Sequence, residues 1–203
     1  LKNIKNEGIV FLPTDHKDCT QKSDEEAKII KDYYSKIIGK GSIDNGKNKK
    51  ITQDDIMVVT PFNMQVNNLK KIINQNEAKI GTIDKFQGQQ SKVVFISMTS
   101  SDPENLPRHK EFFFSRNRLN VGISRAQSLA IILFNPSLLL ANCQKINEMR
   151  LVNNFCKLLK YKIKFYFLSR KIGIISSKEF GVRPKESQSS CLTYKCLYIF
   201  PVA

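Results

Sequence analysis

The sequence predicts an α/β fold, a parallel sheet with helices on both faces. Apolar runs such as Gly8-Ile9-Val10-Phe11-Leu12, Ile56-Met57-Val58-Val59 and Leu129-Ala130-Ile131-Ile132-Leu133-Phe134 are short and unbroken rather than alternating. Strands of that kind are buried on both faces. Segments with apolar residues at helical spacing stand between them. Strand and helix in alternation build parallel crossover units.

The elements follow in order. The run from Gly8 is a strand that ends at Pro13, which cannot donate to a ladder. Ser23-Asp24-Glu25-Glu26 is a capping box, with Ser23 at the N-cap and Glu26 three residues on. The helix it opens runs to about Ile38 on the stripe Ala27, Ile30, Tyr34 and Ile37 or Ile38, and Gly39 stops it. Residues 40–50 are rich in Gly, Asn and Lys and read as an exposed loop, solvated rather than phosphate-binding because no aromatic residue interleaves the lysines. A second strand, Ile56-Met57-Val58-Val59-Thr60, leads through Pro61-Phe62-Asn63 into a helix over about 64–74. Residues 79–83 form a third strand, 84–90 a polar turn and 92–98 a fourth strand. A loop with Pro103 and Pro107 then leads to the helix 118–126, to a fifth strand from Leu129, to a short helix from Leu138 and to a last helix over about 146–161.

The chain has 203 residues, 41% hydrophobic and 25% charged, which suits one globular domain with a real core. No run of 18 apolar residues marks a membrane span, and the Lys- and Asn-rich start is no signal peptide. The five cysteines show neither zinc spacing nor a disulfide framework, so a cytoplasmic setting and no metal site are expected. The net charge of +15 points to a polyanionic partner. Ten Lys or Arg against two Glu from Lys157 onward give +8 and leave +7 for the rest, so the globular part is only moderately basic. Residues 161–203 form a tail without clear period, either disordered or not the natural continuation of the domain, as after a change of reading frame.

The helix Arg118-Leu119-Asn120-Val121-Gly122-Ile123-Ser124-Arg125-Ala126 organises the rest. Its arginines stand two turns apart on one side, and arginine holds phosphate bidentately while staying charged. On spacing alone the bland reading, solvated or salt-bridged arginines, is the stronger. Ligands of open α/β sheets bind outside the carboxyl ends of the strands, where residues 60–65 lie. The loops 60–65 and 81–90 and the arginine helix are expected to converge at one edge.

TPFNMQV, GTIDKFQGQQSKVVFISMT and RLNVGISRA, in this order and spacing, resemble motifs IV, V and VI of superfamily 1 helicases, nearest the branch of nonsense-decay and nuclease-linked helicases. Residues 8–38 and 138–155 look similar to bacterial proteins in which a RecB-like nuclease region precedes the helicase. The resemblance covers about residues 8 to 160. It implies a RecA-like domain over 1–160, the P-loop NTPase fold of the second helicase domain. It implies an ATP-dependent DNA or RNA helicase, of which this is the C-terminal motor half. Arg125 matches the arginine finger that reaches the γ-phosphate, and Arg118 a phosphate contact or a brace for the helix. Gln87 and Gly88 match the turn linking nucleotide to nucleic acid, Thr82 a phosphate or strand contact with Asp84 beside it, and Thr60, Pro61 and Gln65 match motif IV. Gln90 stands where the family has a ribose-binding glutamate, which removes a charge-assisted bond and lowers the expected nucleotide affinity.

The sequence contains no G-x-x-x-x-G-K-S/T loop and no DExx-type acidic pair before residue 60 placed to hold magnesium. ATP with Mg2+ is therefore expected to be completed by a first RecA-like domain on another segment or chain, with single-stranded DNA or RNA as the other partner. The competing reading is a nucleic-acid-binding fragment without ATPase activity. A generic doubly wound domain with a small-molecule site lacks any feature of its own, such as a G-x-G-x-x-G turn.

Overall fold

The computed structural model describes residues 7–44, 47–73, 78–86, 88–106 and 113–162. Five parallel strands form one sheet in the order β1-β7-β6-β4-β5. They are β1 (Gly8–Pro13), β4 (Ile56–Thr60), β5 (Lys79–Thr82), β6 (Ser91–Ser97) and β7 (Ala126–Phe134). A separate two-stranded ribbon joins β2 (Gly41–Asp44) and β3 (Lys47–Lys50). Among the described residues the helices are α1 (Asp24–Ile37), α2 (Asn63–Ile73), α3 (Arg116–Ser124) and α4 (Ile146–Lys162). This is a RecA-like α/β architecture.

The apolar runs fix the layers because successive side chains of a strand point to opposite faces. Val10 and Leu12 of β1 pack on the α1–α2 side with Ile30, Tyr34 and Leu69. Phe11, between them, packs on the α3–α4 side with Leu119, Val152 and Phe155. There Phe155 meets Phe134 edge-on, ring centroids 5.7 Å apart, and Phe11 meets Phe134 at 5.9 Å. Burying one such ring is worth about 1.5–3 kcal/mol. None of the described helices is long and apolar enough to cross a membrane.

The topology separates the two ends of the sheet. From β4 the chain moves outward through α2 to β5, then crosses back past β4 to β6. The crossing returns from the carboxyl ends of the strands to their amino ends, first through a 3₁₀ turn, Ile83–Phe86. Helix α3 makes the same return from β6 to β7.

Several expectations need correction. Residues 40–50 do not form an open loop; their central part pairs as the β2–β3 ribbon, with Gly41 opposite Lys50 and Ser42 opposite Lys49. The arginine helix ends at Ser124, with Arg125 as its C-cap and Ala126 already paired to Ser91 in the sheet. The apolar stripe had extended the helix to Ala126, but strand pairing claims that residue. Ser23 caps α1 as expected, accepting from the Glu26 N–H at 3.2 Å. Glu26 does not reach back, however; the Ser23 N–H donates to Gln65 Oε1 at 2.9 Å. From residue 163 the tail lies outside the described residues, as does Gln87.

Candidate functional site

The three expected segments share the carboxyl edge only through Thr60 and Pro61, Thr82 and Arg118. Gly88, Gln90 and Arg125 lie at the amino ends of β6 and β7, whereas Thr60, Pro61 and Thr82 lie at the carboxyl ends of β4 and β5. The cause is the antiparallel run of α3 and of segment 83–90 against the sheet. Each starts at the carboxyl edge and delivers its last residues to the amino edge.

At the amino edge the Ser91 N–H donates to the Arg125 carbonyl at 2.9 Å, and Ser91 pairs with Ala126. This joins the segment after Gly88 to the end of α3. Gly88 has φ +84, a left-handed conformation that L side chains rarely adopt, so the turn requires glycine. The Gln89 N–H donates to the Phe86 carbonyl at 3.1 Å, and Gln90 is exposed. Arg125 is half-buried, and its Nε is shielded from solvent with no hydrogen-bond partner among the described residues. Leaving a buried donor unpaired costs about 1–3 kcal/mol, more for a charged group.

At the carboxyl edge the polar side chains turn inward. Thr60 is fully buried, its Oγ1 3.2 Å from Thr99 Oγ1. Gln65 is fully buried too; its Nε2 donates to the Ser23 carbonyl at 3.0 Å and to Ser97 Oγ at 3.2 Å. Both side chains, expected at a nucleic acid, spend their hydrogen-bonding groups inside the protein. Pro61 and Thr82 are half-buried and keep surface at this edge. Arg118, near the start of α3, pairs with Asp84 at 3.4 Å.

Sequence reasoning missed the centre of the inward network, Glu26. It is fully buried, with His16 Nε2 at 3.1 Å and Thr14 Oγ1 at 3.3 Å from Oε1. Its Oε2 accepts from Ser97 Oγ at 2.5 Å and from the Thr99 N–H at 3.0 Å. Thr99 has φ +72, and the Ser100 N–H donates to the Met98 carbonyl at 2.8 Å. That is a γ-turn around a β-branched residue, a strain of about 1–3 kcal/mol that the network must hold. A signal was present: Glu26, Ile30, Tyr33 and Ile37 share one stripe of α1, so an acidic residue stood on the apolar face.

Below the amino edge Lys92 pairs with Asp55 at 3.3 Å. Burial pushes the Asp55 carboxyl up, but the Thr52 N–H and the Lys92 ammonium bring it below the ordinary value. Among the described residues no group of three or more His, Cys, Asp or Glu could hold a metal ion.

A family model described as an AAA domain matches residues 4–137. Among curated relatives, the probable RNA helicase Armi of Drosophila melanogaster is 35% identical over 96 residues, 44% of this chain and 8% of that protein. The DNA polymerase alpha-associated DNA helicase A of Saccharomyces cerevisiae is 30% identical over 129 residues, 60% of this chain and 18% of that protein. The RNA helicase Mov10l1 of Mus musculus is 34% identical over 96 residues, again 44% and 8%. The chain spans less than a fifth of the length of these relatives.

Proposed function

Because the chain belongs to the AAA domain family, within the superfamily 1 helicases, we propose that it is the second motor domain of an ATP-driven helicase and supplies the arginine finger. The observation that carries this reading is the buried, unpartnered Nε of Arg125 at the edge it shares with Gly88 and Gln90. A γ-phosphate presented by a first RecA-like domain would meet that guanidinium. Planar bidentate donation then stabilises the charge spread over the transferring phosphoryl group, an effect worth about 10³–10⁵ in rate.

The other residues take graded roles. Gln90 hydrogen-bonds the nucleotide ribose without a charge, and Gly88 lets the backbone come close. Arg118 braces α3 against Asp84 rather than meeting phosphate, since its guanidinium already pairs there. At the opposite edge Pro61 and Thr82 face a single strand of DNA or RNA, and Gln87 joins them by its match to motif V. Thr60 and Gln65 act beneath them by holding the ends of β4 and β6 in place. Magnesium accompanies ATP in this family, but the described residues offer it no site. In this reading the nucleotide and the first motor domain hold it, in a cytoplasmic enzyme.

The test is reconstitution with a first motor domain that carries a G-x-x-x-x-G-K-S/T loop. Strand-stimulated phosphate release should appear only with both domains present. Turnover by this chain alone near the roughly 1 s⁻¹ low end of ordinary enzymes would overturn the reading.

A further inference from the structure

Between α1 and β4 the chain makes an excursion, the β2–β3 ribbon, that contributes little to the core. The β2–β3 ladder continues into the body: the Gly39 N–H donates to the Ile51 carbonyl, and the Ile51 N–H to the Lys40 carbonyl, both at 2.8 Å. Lys92, at the amino end of β6, reaches Ser42 Oγ at 3.4 Å while it pairs with Asp55. The ribbon is thus anchored at its base and stands at the amino edge of the sheet.

Its charge is one-sided. Residues 40–50 hold Lys40, Lys47, Lys49 and Lys50 against Asp44. The acids that follow, Asp54 and Asp55, are engaged by Lys79 at 3.7 Å and Lys92 at 3.3 Å. Among the described residues no carboxylate pairs with Lys40 or Lys50. The register places Lys50 and Ile43 on one face of the ribbon and Lys49 with Ser42 on the other. Ile43 is 80% exposed, so that face gains nothing from packing on the body. A two-stranded ribbon is marginal by itself in water, and crowded like charges weaken it further.

We propose that the β2–β3 ribbon is a nucleic-acid contact that takes the phosphates of a double-stranded backbone. A two-stranded ribbon fits the major groove of a duplex. With exposed lysines on both faces it meets the phosphate rows of both groove walls, whereas a single strand offers one row. The ribbon lies at the opposite end of the sheet from Pro61 and Thr82. The proposal therefore goes beyond the strand path described above and does not depend on it.

The experiment is fluorescence anisotropy of the full chain with a labelled duplex of about 20 base pairs and with one of its strands. The variant K40Q/K49Q/K50Q is compared with K28Q/K31Q/K70Q, which removes the same charge from exposed positions of α1 and α2. The ribbon variant should lose about tenfold in duplex affinity, with a salt slope shallower by about 0.9 for each phosphate contact removed. The control variant and single-strand binding should change much less. Unchanged duplex binding would overturn the proposal and leave the ribbon to a protein surface. Equal losses in the two variants would overturn it in favour of net charge, and equal losses for duplex and strand would overturn the duplex assignment. Failure of reconstituted ATP hydrolysis would bear on the motor reading alone.

Discussion

Arg118 and Asp84 form an ion pair, Nη2 to Oδ2 at 3.4 Å, that ties the start of α3 to the 3₁₀ turn after β5. One partner begins the segment that delivers Arg125, the other the segment that delivers Gly88. The pair therefore couples, at the carboxyl edge, two segments that meet again at the amino edge through Ser91 and Arg125. Asp84 is 70% exposed, and a pair so open to solvent is worth at most about 1 kcal/mol. Asp84→Asn should shift the urea midpoint only slightly; a loss well beyond that figure would show a stronger role for the pair in the fold.

Arg125 and Arg118 should separate in function. In a reconstituted two-domain enzyme Arg125→Ala should lower ATP turnover by about a hundredfold or more with little change in melting temperature. Arg125→Lys should not restore it, because an ammonium lacks the planar fork. Arg118→Ala should affect stability more than turnover. Steady-state kinetics beside thermal melts decide this, and equal, purely destabilising effects at both positions would defeat the assignment.

Glu26→Ala removes the acceptor for Thr14, Ser97 and the Thr99 N–H at once and strands His16. The expected cost is about 3–5 kcal/mol, the scale of a broken buried charged network. Glu26→Gln keeps the shape and should cost clearly less. Chemical denaturation measures both; near-equal losses would mean that packing rather than acceptor strength matters there.

Gly122 of α3 faces Ile96 and Val59 of the sheet. A Cβ there would meet Ile96 Cδ1 at 3.1 Å, the far end of a flexible side chain. Gly122→Ala should be nearly neutral, since a gain of about 1 kcal/mol in helix propensity offsets a small shift of Ile96. Gly122→Val would drive branches into Ile96 and Val59 and should cost about 1–3 kcal/mol. The difference between the two melting temperatures is the readout.

Asp55 predicts a pH dependence. Its carboxyl lies below the ordinary value of 3.8 in the folded chain, so its contribution is present above that value and is lost as pH falls through the folded one. Wild type should exceed Asp55→Asn in urea midpoint at pH 7, and the gap should close below about pH 4. A gap that does not shrink at all as the pH falls below the ordinary value would show that the carboxylate charge is not its source.

The sequence by itself determined the layers. Unbroken apolar runs such as Ile131-Ile132-Leu133-Phe134 can be satisfied only by strands covered on both faces, and the helical stripes supply the cover. Local chemistry also marked Ser23 as a cap, since a cap depends on neighbouring residues. Only the tertiary structure decided which ends of the elements face which edge. Arg125 and Thr60 looked like neighbours because both follow or precede a strand, but the direction in which α3 crosses the sheet sets them at opposite ends. It also decided that Gln65 is consumed inside while Arg125 Nε is not, and that Glu26 turns inward to Thr99, 73 residues away. Such partners are chosen by the folded packing of distant segments, which leaves no period or spacing in the chain to read.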